Sequence, residues 1–239
     1  MIILGIDMSG DQCSIGIGNN QTLLAESSIY ARMRHLPRVM PQIDFTLKQA
    51  GKTIHDIDLL CAVSGPGSWT GIRIAITMLK TLGHSLSKPC VTVSSLSALA
   101  CNMRFVSPVV YPIIDAARKQ VYSAGFDCQA ATPRMIEHAS LKKLDIFLNN
   151  ISEPAILVGD ALKAYPEIAT LIENRPIIAP QSFNRICISH VIEVGYHTFQ
   201  VNGSEDVHHL SPIYLQKTDA ERNFKQHVRS SKLSANKKK

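Results

Sequence analysis

Two aspartates have the residue type and the position for chemistry on a phosphate group. Asp7 follows the apolar run of residues 2–6, and Asp115 follows a second apolar run at residues 109–114. Each run is typical of a strand that is buried on both faces. A carboxylate at the end of such a strand can help hold a metal ion and a water molecule at the terminal phosphates of a nucleotide. Ser9 and Arg118 in the following turns would complete this candidate nucleotide cleft.

The same two aspartates also have a structural interpretation. The turn after Asp7 has one glycine, Gly10, and the turn at residues 116–119 after Asp115 has none. A glycine backbone cradle for phosphates is therefore missing from both turns. Capping of the strand ends or ion pairing is the favoured role of the two carboxylates.

A glycine-rich segment lies between an apolar run at residues 59–63 and a helical pattern at residues 70–85. Its glycines and proline force a sharp turn, and Ser68 or Thr70 can cap the helix that follows. The helix N-terminus could receive an anion or the backbone of a partner, and the alternative is a tight structural turn. It is not a Walker A loop, because Ile72 and Arg73 stand where that motif needs Lys and Ser or Thr. The residues of this motif loop are Gly65, Pro66, Gly67, Ser68, Trp69, Thr70, Gly71 and Arg73.

Neither the histidines nor the cysteines predict a metal site. The nine histidines include no pair four residues apart, and the six cysteines have no CxxC spacing. The cysteines lie mostly in apolar runs, which is typical of reduced core residues in a cytosolic protein. The N-terminus lacks a signal-peptide pattern and no apolar run reaches membrane-spanning length, so we expect a cytoplasmic location and no membrane contact.

The net charge of +6 is concentrated in residues 217–239, which carry eight Lys or Arg residues and two acidic residues. Residues 1–216 carry 17 basic and 17 acidic residues, so this part is neutral. The basic segment has no apolar periodicity and is predicted to be disordered. The apolar residues 211–215 just before it are predicted to dock on the folded part.

The order of the predicted elements repeats. Three strands, a helix, a strand and a helix fill residues 1–106, and a similar order, with Asp115 in the place of Asp7, fills residues 107–216. This α/β plan, a duplicated βββαβα fold with two lobes, is that of the actin, heat-shock ATPase and sugar-kinase superfold. We therefore predict an N-terminal actin-like lobe that binds a partner, a C-terminal lobe, and the basic tail.

Two predicted helices of the first lobe, at residues 36–50 and 70–85, are candidates for a partner interface. The second is apolar nearly all round, so a face turned away from the sheet needs another cover. The alternative is an internal helix of a layered sandwich. The residues assigned to the interface are Leu36, Met40, Ile43, Leu47, Ile72, Ile76 and Leu79.

Four segments of the sequence resemble the bacterial TsaB (YeaZ) family. They are the motif loop, the start Ile3-Leu4-Gly5-Ile6-Asp7-Met8-Ser9, the segment Ile114-Asp115-Ala116 with Val121-Tyr122, and Pro212-Ile213-Tyr214-Leu215. The resemblance covers residues 2–216. It implies a non-catalytic accessory subunit in making threonylcarbamoyladenosine beside the anticodon of tRNAs that read codons starting with A. It also implies a heterodimer with the TsaD transferase through the helices of the first lobe, joined by the TsaE ATPase.

Other parts of the resemblance bear on catalysis. His35 stands where the HxxxH metal motif of TsaD would begin, but Val39 occupies the second position, so we expect no metal and no transfer reaction by this chain. ATP or ADP could lie at the interface of the complex, tRNA could be reached indirectly or through the basic tail, and a homodimer could form when the chain is alone. The competing hypothesis is a small actin-like ATPase or kinase that uses Asp7 and Asp115.

Overall fold

The computed structural model describes residues 1–20, 22–30, 36–171 and 176–215. Within these ranges, no helix is both long enough and apolar enough to cross a bilayer. The described part of the chain forms ten strands and seven α-helices. The strands are β1 (Ile2–Asp7), β2 (Gln12–Asn19), β3 (Thr22–Tyr30), β4 (Leu59–Gly65), β5 (Cys90–Ser94), β6 (Val109–Asp115), β7 (Gln120–Asp127), β8 (Arg134–Lys143), β9 (Ala155–Val158) and β10 (Ile177–Ile178). The helices are α1 (Leu36–Gln49), α2 (Trp69–Leu86), α3 (Ser95–Ala100), α4 (Leu144–Asn149), α5 (Ala161–Ala164), α6 (Ile168–Leu171) and α7 (Ile188–Asn202).

Two five-stranded sheets with equivalent strand orders form the framework. The first sheet has the order β3-β2-β1-β4-β5, and the second has the order β10-β9-β6-β7-β8, which places β6 where β1 lies in the first. In each sheet the first strand pairs antiparallel with the next strand and parallel with the fourth. The predicted duplicated actin-like α/β fold is confirmed.

The alternation of side chains along β1 divides the core of the first lobe into two layers. Leu4 and Ile6 pack in the cluster that contains the inner residues of α1 and α2. Ile3 points to the opposite face, where it packs with Ile188 and Ile192 of α7. Successive residues of a strand face opposite sides of its sheet, so β1 is buried on both faces as its uninterrupted apolar sequence predicts.

Helix α7 differs from the predicted helix in its start and in its partner. The sequence pattern predicts a helix from residue 184, but α7 begins at Ile188 after the N-cap Cys187. The predicted lobe boundary assigns this segment to residues 107–216, whereas α7 packs on β1, β2, β4 and β5 of the first sheet. It lies close because Gly16 has no side chain: a Cβ there would stand 2.9 Å from Cγ1 of Ile188. A helix from the second half of the chain therefore covers one face of the first sheet.

Two smaller differences concern the second lobe. Residues 141–143 are predicted to begin a helix, but they extend β8, and α4 begins at Leu144. The short elements α5, α6 and β10 are not predicted. They have at most four residues each, too few to show a period in the sequence.

Candidate functional site

The motif loop joins β4 to α2 and is fixed by bonds within the chain. The backbone N–H of Ser68 donates to the carbonyl oxygen of Ser9 at 2.7 Å. The Ser68 side chain caps α2 by accepting from the N–H of Gly71 at 3.3 Å. On the other side, the Ser95 hydroxyl donates to the carbonyl oxygen of Pro66 at 2.5 Å. The loop thus links the turn after β1 to the start of α3.

The glycines of the loop let its backbone approach the turn after β1. A Cβ on Gly71 would stand 1.8 Å from the carbonyl oxygen of Met8, and one on Gly67 would stand 2.3 Å from that of Ser9. Contacts this short do not occur between real atoms, so neither position accepts a side chain without movement of the backbone. The backbone that approaches the loop belongs to this chain, which supports the tight structural turn over an anion cradle.

The segment of residues 204–215, here called the strap, runs from β5 back to the motif loop. The N–H of Glu205 donates to the carbonyl oxygen of Cys90 at 2.9 Å, and that of Ile213 donates to the carbonyl oxygen of Ser64 at 2.8 Å. Between these points, the ammonium group of Lys80 donates to two strap carbonyl oxygens, each at 3.1 Å. The predicted docking of residues 211–215 is confirmed.

Trp69 lies where the strap meets the motif loop. Its ring stacks on that of Tyr214 with centroids 4.1 Å apart and an interplanar angle of 26°. The guanidinium carbon of Arg73 lies 5.9 Å from the centroid of the Trp69 ring. Trp69 is 41% exposed, so it is held in place by its contacts without being buried by them.

The two candidate aspartates have different surroundings. Asp7 is buried, and its Oδ1 accepts from the N–H and the hydroxyl of Ser9 at 2.8 and 2.7 Å. Burial raises the pKa of Asp7, and the bonds from Ser9 partly oppose that rise. Asp115 is exposed, and its Oδ1 accepts from the N–H of Ala117 at 2.8 Å and from the hydroxyl of Tyr165 at 2.6 Å.

A cleft of about 480 Å³ lies between the ends of β1 and β9. Asp7, Asp11 and Asp160 line it with Lys163 and Arg185, and Ser9 is also part of its wall. Among the described residues that line the cleft, neither Asp115 nor Arg118 is present. The structure therefore brings Asp7 and Ser9 together in the cleft. Asp115 and Arg118, the second predicted pair, do not line it, and Asp160, Lys163 and Arg185 line it instead.

Asp160 is one of the charged cleft residues, with Asp11, Lys163 and Arg185, that the sequence pattern does not identify. Its Oδ1 accepts from the backbone N–H of Asp115 at 2.9 Å. Although Asp160 is exposed as a residue, desolvation of its carboxyl group raises its pKa to about 6, and the charges of Asp115 and Asp11 add to the rise. The Gly159-Asp160 pair directly after β9 is the sequence signal that could have identified it.

Backbone N–H groups in the turns after the two candidate aspartates are bonded within the chain. The N–H of Ser9 donates to Asp7, that of Ala117 donates to Asp115, and that of Lys119 donates to the hydroxyl of Tyr165. A phosphate cradle needs such N–H groups to point at the ligand. The described ranges also contain no group of three His, Cys, Asp or Glu side chains placed to hold a metal ion.

Most of the residues assigned to the partner interface belong to this chain's own core. Ile43, Leu47, Ile72, Ile76 and Leu79 are at most 5% exposed and pack against β1 and β4. They cannot contact a partner while the lobe is folded, so this part of the assignment is corrected. The side chain of Leu36 lies outside the described residues, as do His35 and the basic tail.

The surface that α1 and α2 do present is smaller and has different members. Met40 is 49% exposed and Phe45 is 52% exposed on α1. On α2, Ile74 and Met78 are half-buried beside the exposed Thr77, and they line a depression of about 300 Å³. We call Met40, Phe45, Ile74, Thr77 and Met78 the outer helical face.

Comparison with known proteins identifies the family. The family model described as TsaD, tRNA N6-adenosine threonylcarbamoyltransferase, matches residues 28–224. A Bacillus subtilis protein named tRNA threonylcarbamoyladenosine biosynthesis protein TsaB is 30% identical over 226 residues, which cover 92% of this chain and 96% of the relative. The chain belongs to the TsaB family.

Other matches agree with this family. The TsaB protein of Escherichia coli is 25% identical over 90% of this chain and 95% of its own length. A solved structure of YeaZ from Pseudomonas aeruginosa superposes with a TM-score of 0.76 over 90% of this chain and 99% of that chain, at 22% identity, and so shows the same fold. A TsaD-type transferase of Sphingopyxis alaskensis is 28% identical over 46% of this TsaB-family chain and 36% of the transferase.

Proposed function

We propose that this chain is an accessory subunit required for threonylcarbamoyladenosine formation next to the anticodon of tRNAs that read codons starting with A. It acts by forming a heterodimer with a TsaD-type transferase through the outer helical face. Two facts support the proposal: the TsaB relatives are named for this biosynthesis, and the chain matches the family model of the transferase. The observation that carries it is the outer helical face, where large apolar side chains stand in water.

The shared fold supports the manner of docking. Two chains that both carry helices equivalent to α1 and α2 can meet through them about a pseudo-two-fold axis, so that each helix pair covers the other. Burying Met40 and Phe45 in this way removes apolar surface from water. The same geometry explains why the chain alone could pair with a second copy of itself, because a face that fits a related fold also fits its own.

An accessory role rather than catalysis is supported by α1 itself. Val39 occupies the position of the second histidine in the HxxxH pattern of the transferase, and it is 1% exposed within the core. A buried valine side chain has no atom that can bind a metal ion. The role proposed for this chain is therefore to stabilise the productive state of the transferase and to recruit the TsaE-type ATPase to the pair.

Nucleotide and tRNA enter this proposal through the complex. The N–H of Ser9 in the cleft of this chain is already bonded to Asp7, which favours ATP or ADP at the interface between subunits over the cleft itself. tRNA is held by the transferase, with residues 217–239 of this chain as a further contact.

Co-purification with the transferase tests the proposal. The Met40→Glu/Phe45→Glu double variant should lose the complex and the tRNA modification, because two carboxylates would be desolvated at the interface. Ile177→Glu is the matched control, since Ile177 is an exposed apolar residue on β10 of the second lobe. Retention of both complex and modification by the double variant would rule out this face.

The second candidate function is an actin-like ATPase or kinase, favoured by one observation, the cleft that Asp7 lines. It predicts magnesium-dependent ATP hydrolysis by the isolated chain and loss of that activity in Asp7→Asn. Unchanged hydrolysis in Asp7→Asn would assign the activity to a contaminant. Absence of hydrolysis in the unaltered chain would remove this candidate.

A further inference from the structure

Two histidines from distant parts of the sequence come together where the strap crosses the end of α2. The ring of His84, in the last turn of α2, and that of His208, in the strap, have centroids 6.0 Å apart and an interplanar angle of 64°. Both side chains are exposed, and both line a depression of about 350 Å³. Of the described residues that line this depression, none belongs to the outer helical face. We call His84 and His208 the histidine pair.

The close approach of the strap to α2 places the histidine pair. A Cβ added to Gly83 would stand 3.2 Å from Cγ2 of Val207, so Val207 packs on the helix at a point where the helix has no side chain. His84 follows Gly83 in sequence, and His208 follows Val207. The contact between the first residues of these two dipeptides therefore brings the two imidazoles together.

The backbone of His208 is fixed on both sides of its Cα atom. Its N–H donates to Oδ1 of Asp206 at 2.9 Å, and its carbonyl oxygen accepts from the ammonium group of Lys80 at 3.1 Å. His84 is fixed by its place in α2. Ligands on an ordered backbone lose less conformational entropy when they bind an ion. The exposed rings themselves remain free to turn toward a common ion.

The spacing of the two rings fits coordination of a single metal ion. A zinc–nitrogen bond is about 2.0–2.1 Å long and a ring nitrogen lies about 1.1 Å from the ring centre, so two imidazoles on one zinc ion have centroids roughly 5–6.5 Å apart. The observed 6.0 Å lies within this range. Imidazole is also a ligand type that suits zinc.

The charges near the histidine pair act in opposite directions. The C-terminal end of α2 and the carboxylate of Asp206 favour a cation at this place. The ammonium group of Lys80 disfavours one, although it is engaged by two strap carbonyl oxygens. The binding energy for an ion must therefore come from the two imidazole nitrogens.

We propose that the histidine pair binds one Zn²⁺ ion, which links the strap to α2. The described residues contain no group of three His, Cys, Asp or Glu side chains placed to hold a metal ion, so the protein supplies two ligands and water supplies the others. A spacing of four residues identifies histidine pairs on one helix only, and therefore does not reveal this pair. The inference is independent of the proposed function, because it concerns the isolated chain.

Calorimetric titration of the full chain, produced without a histidine tag, with zinc chloride tests the proposal. We expect one ion per chain at micromolar affinity, weaker than zinc sites with four protein ligands. His84→Gln and His208→Gln should each weaken binding by at least about tenfold, the smallest loss typical of removing a mere outer partner of a metal ligand. His209→Gln and His55→Gln are matched controls, because both histidines are exposed and lie outside the lining of the depression, and they should leave the affinity unchanged.

The double variant shows whether the two histidines share one ion. Loss of either ligand destroys a shared site, so His84→Gln/His208→Gln should bind zinc no more weakly than each single variant, whereas losses at two separate sites add. Zinc should also slow amide exchange in residues 204–215 of the unaltered chain, and not in His84→Gln, because the ion ties the strap to the helix.

Three results would overturn the proposal and leave the ring contact as a packing contact alone. The first is a pair of single variants that bind zinc as tightly as His209→Gln. The second is a double variant in which the two losses add. The third is amide exchange in the strap that zinc does not change.

Discussion

Replacing Gly71 by alanine tests whether the motif loop is a structural junction. The added Cβ would stand 1.8 Å from the carbonyl oxygen of Met8, about half an ordinary contact distance. The obstacle is backbone on both sides, so no rotamer change relieves the contact. Either α2 must move away from the turn after β1, or the hydrogen bond from Ser68 to Ser9 must break.

The magnitude follows from two opposing effects. Overpacking of this kind costs up to about 3 kcal/mol, and more where backbone must move. Alanine in place of glycine within a helix returns about 1 kcal/mol. We therefore expect Gly71→Ala to lower the free energy of unfolding by about 2 kcal/mol or more, a large part of the roughly 5–15 kcal/mol that stabilises a domain.

Urea denaturation followed by the fluorescence of Trp69 measures this effect where it arises. Gly10→Ala is the matched control, because no heavy atom lies within 4 Å of the Cβ it would add. That variant should stay within about 0.5 kcal/mol of the unaltered chain. If Gly71→Ala unfolds at the same urea concentration as Gly10→Ala, the close approach of loop and turn does not exist.

The other predictions use burial, protonation and the strap. Leu79 is fully buried, so Leu79→Ala should lower the free energy of unfolding by about 2–5 kcal/mol. Met40→Ala on the outer helical face should lower it by under about 1 kcal/mol in the isolated chain. Urea denaturation measures both effects. Because burial raises the pKa of Asp160 to about 6, the stability this carboxyl contributes is present below its ordinary pKa and is lost as pH rises through about 6. Asp160→Asn should therefore stabilise the chain more at pH 7 than at pH 4 in thermal melts, and an equal effect at both pH values would contradict the assigned cause. Lys80→Met removes two hydrogen bonds to strap carbonyl oxygens and should speed amide exchange in residues 204–215, whereas Lys48→Met, which breaks an exposed ion pair with Asp44, should leave it unchanged.

Local patterns predict the framework well. The continuous apolar run of β1 and the alternating sequences of β2 and β3 identify the opening strands. A strand buried on both faces is apolar at successive positions, and a strand buried on one face is apolar at every second position. The repeat of element order, with Asp7 and Asp115 in equivalent places, identifies the duplicated lobe.

The exposed face of α2 is only partly predictable from its own sequence. Arg73, Thr77 and His84 recur at helical spacing on one face, and all three are exposed, so this polar stripe marks the solvent. Ile74 and Met78 lie beside the stripe and are apolar, yet the structure leaves them half-buried. The helical period does not show which apolar residues at the edge of the stripe the sheet leaves uncovered.

The partners of the candidate aspartates are also distant in sequence. Asp115 is engaged by the hydroxyl of Tyr165, 50 residues along the chain, and its backbone by Asp160, 45 residues along. No motif at residues 115–119 indicates either contact. The sequence therefore predicts that Asp115 lies at a strand end. It does not predict the hydrogen bond that Asp115 accepts from Tyr165, or the position of Asp115 outside the wall of the cleft.

Amide hydrogen exchange of this chain, with and without the TsaD-type transferase, tests most directly whether the outer helical face is the docking surface. Docking there should slow exchange in residues 40–48 of α1 and 73–80 of α2, and leave β8 and β10 of the second lobe unchanged, because only covered and stabilised segments gain protection. Protection confined to the second lobe, or none in a complex that demonstrably forms, would contradict the account.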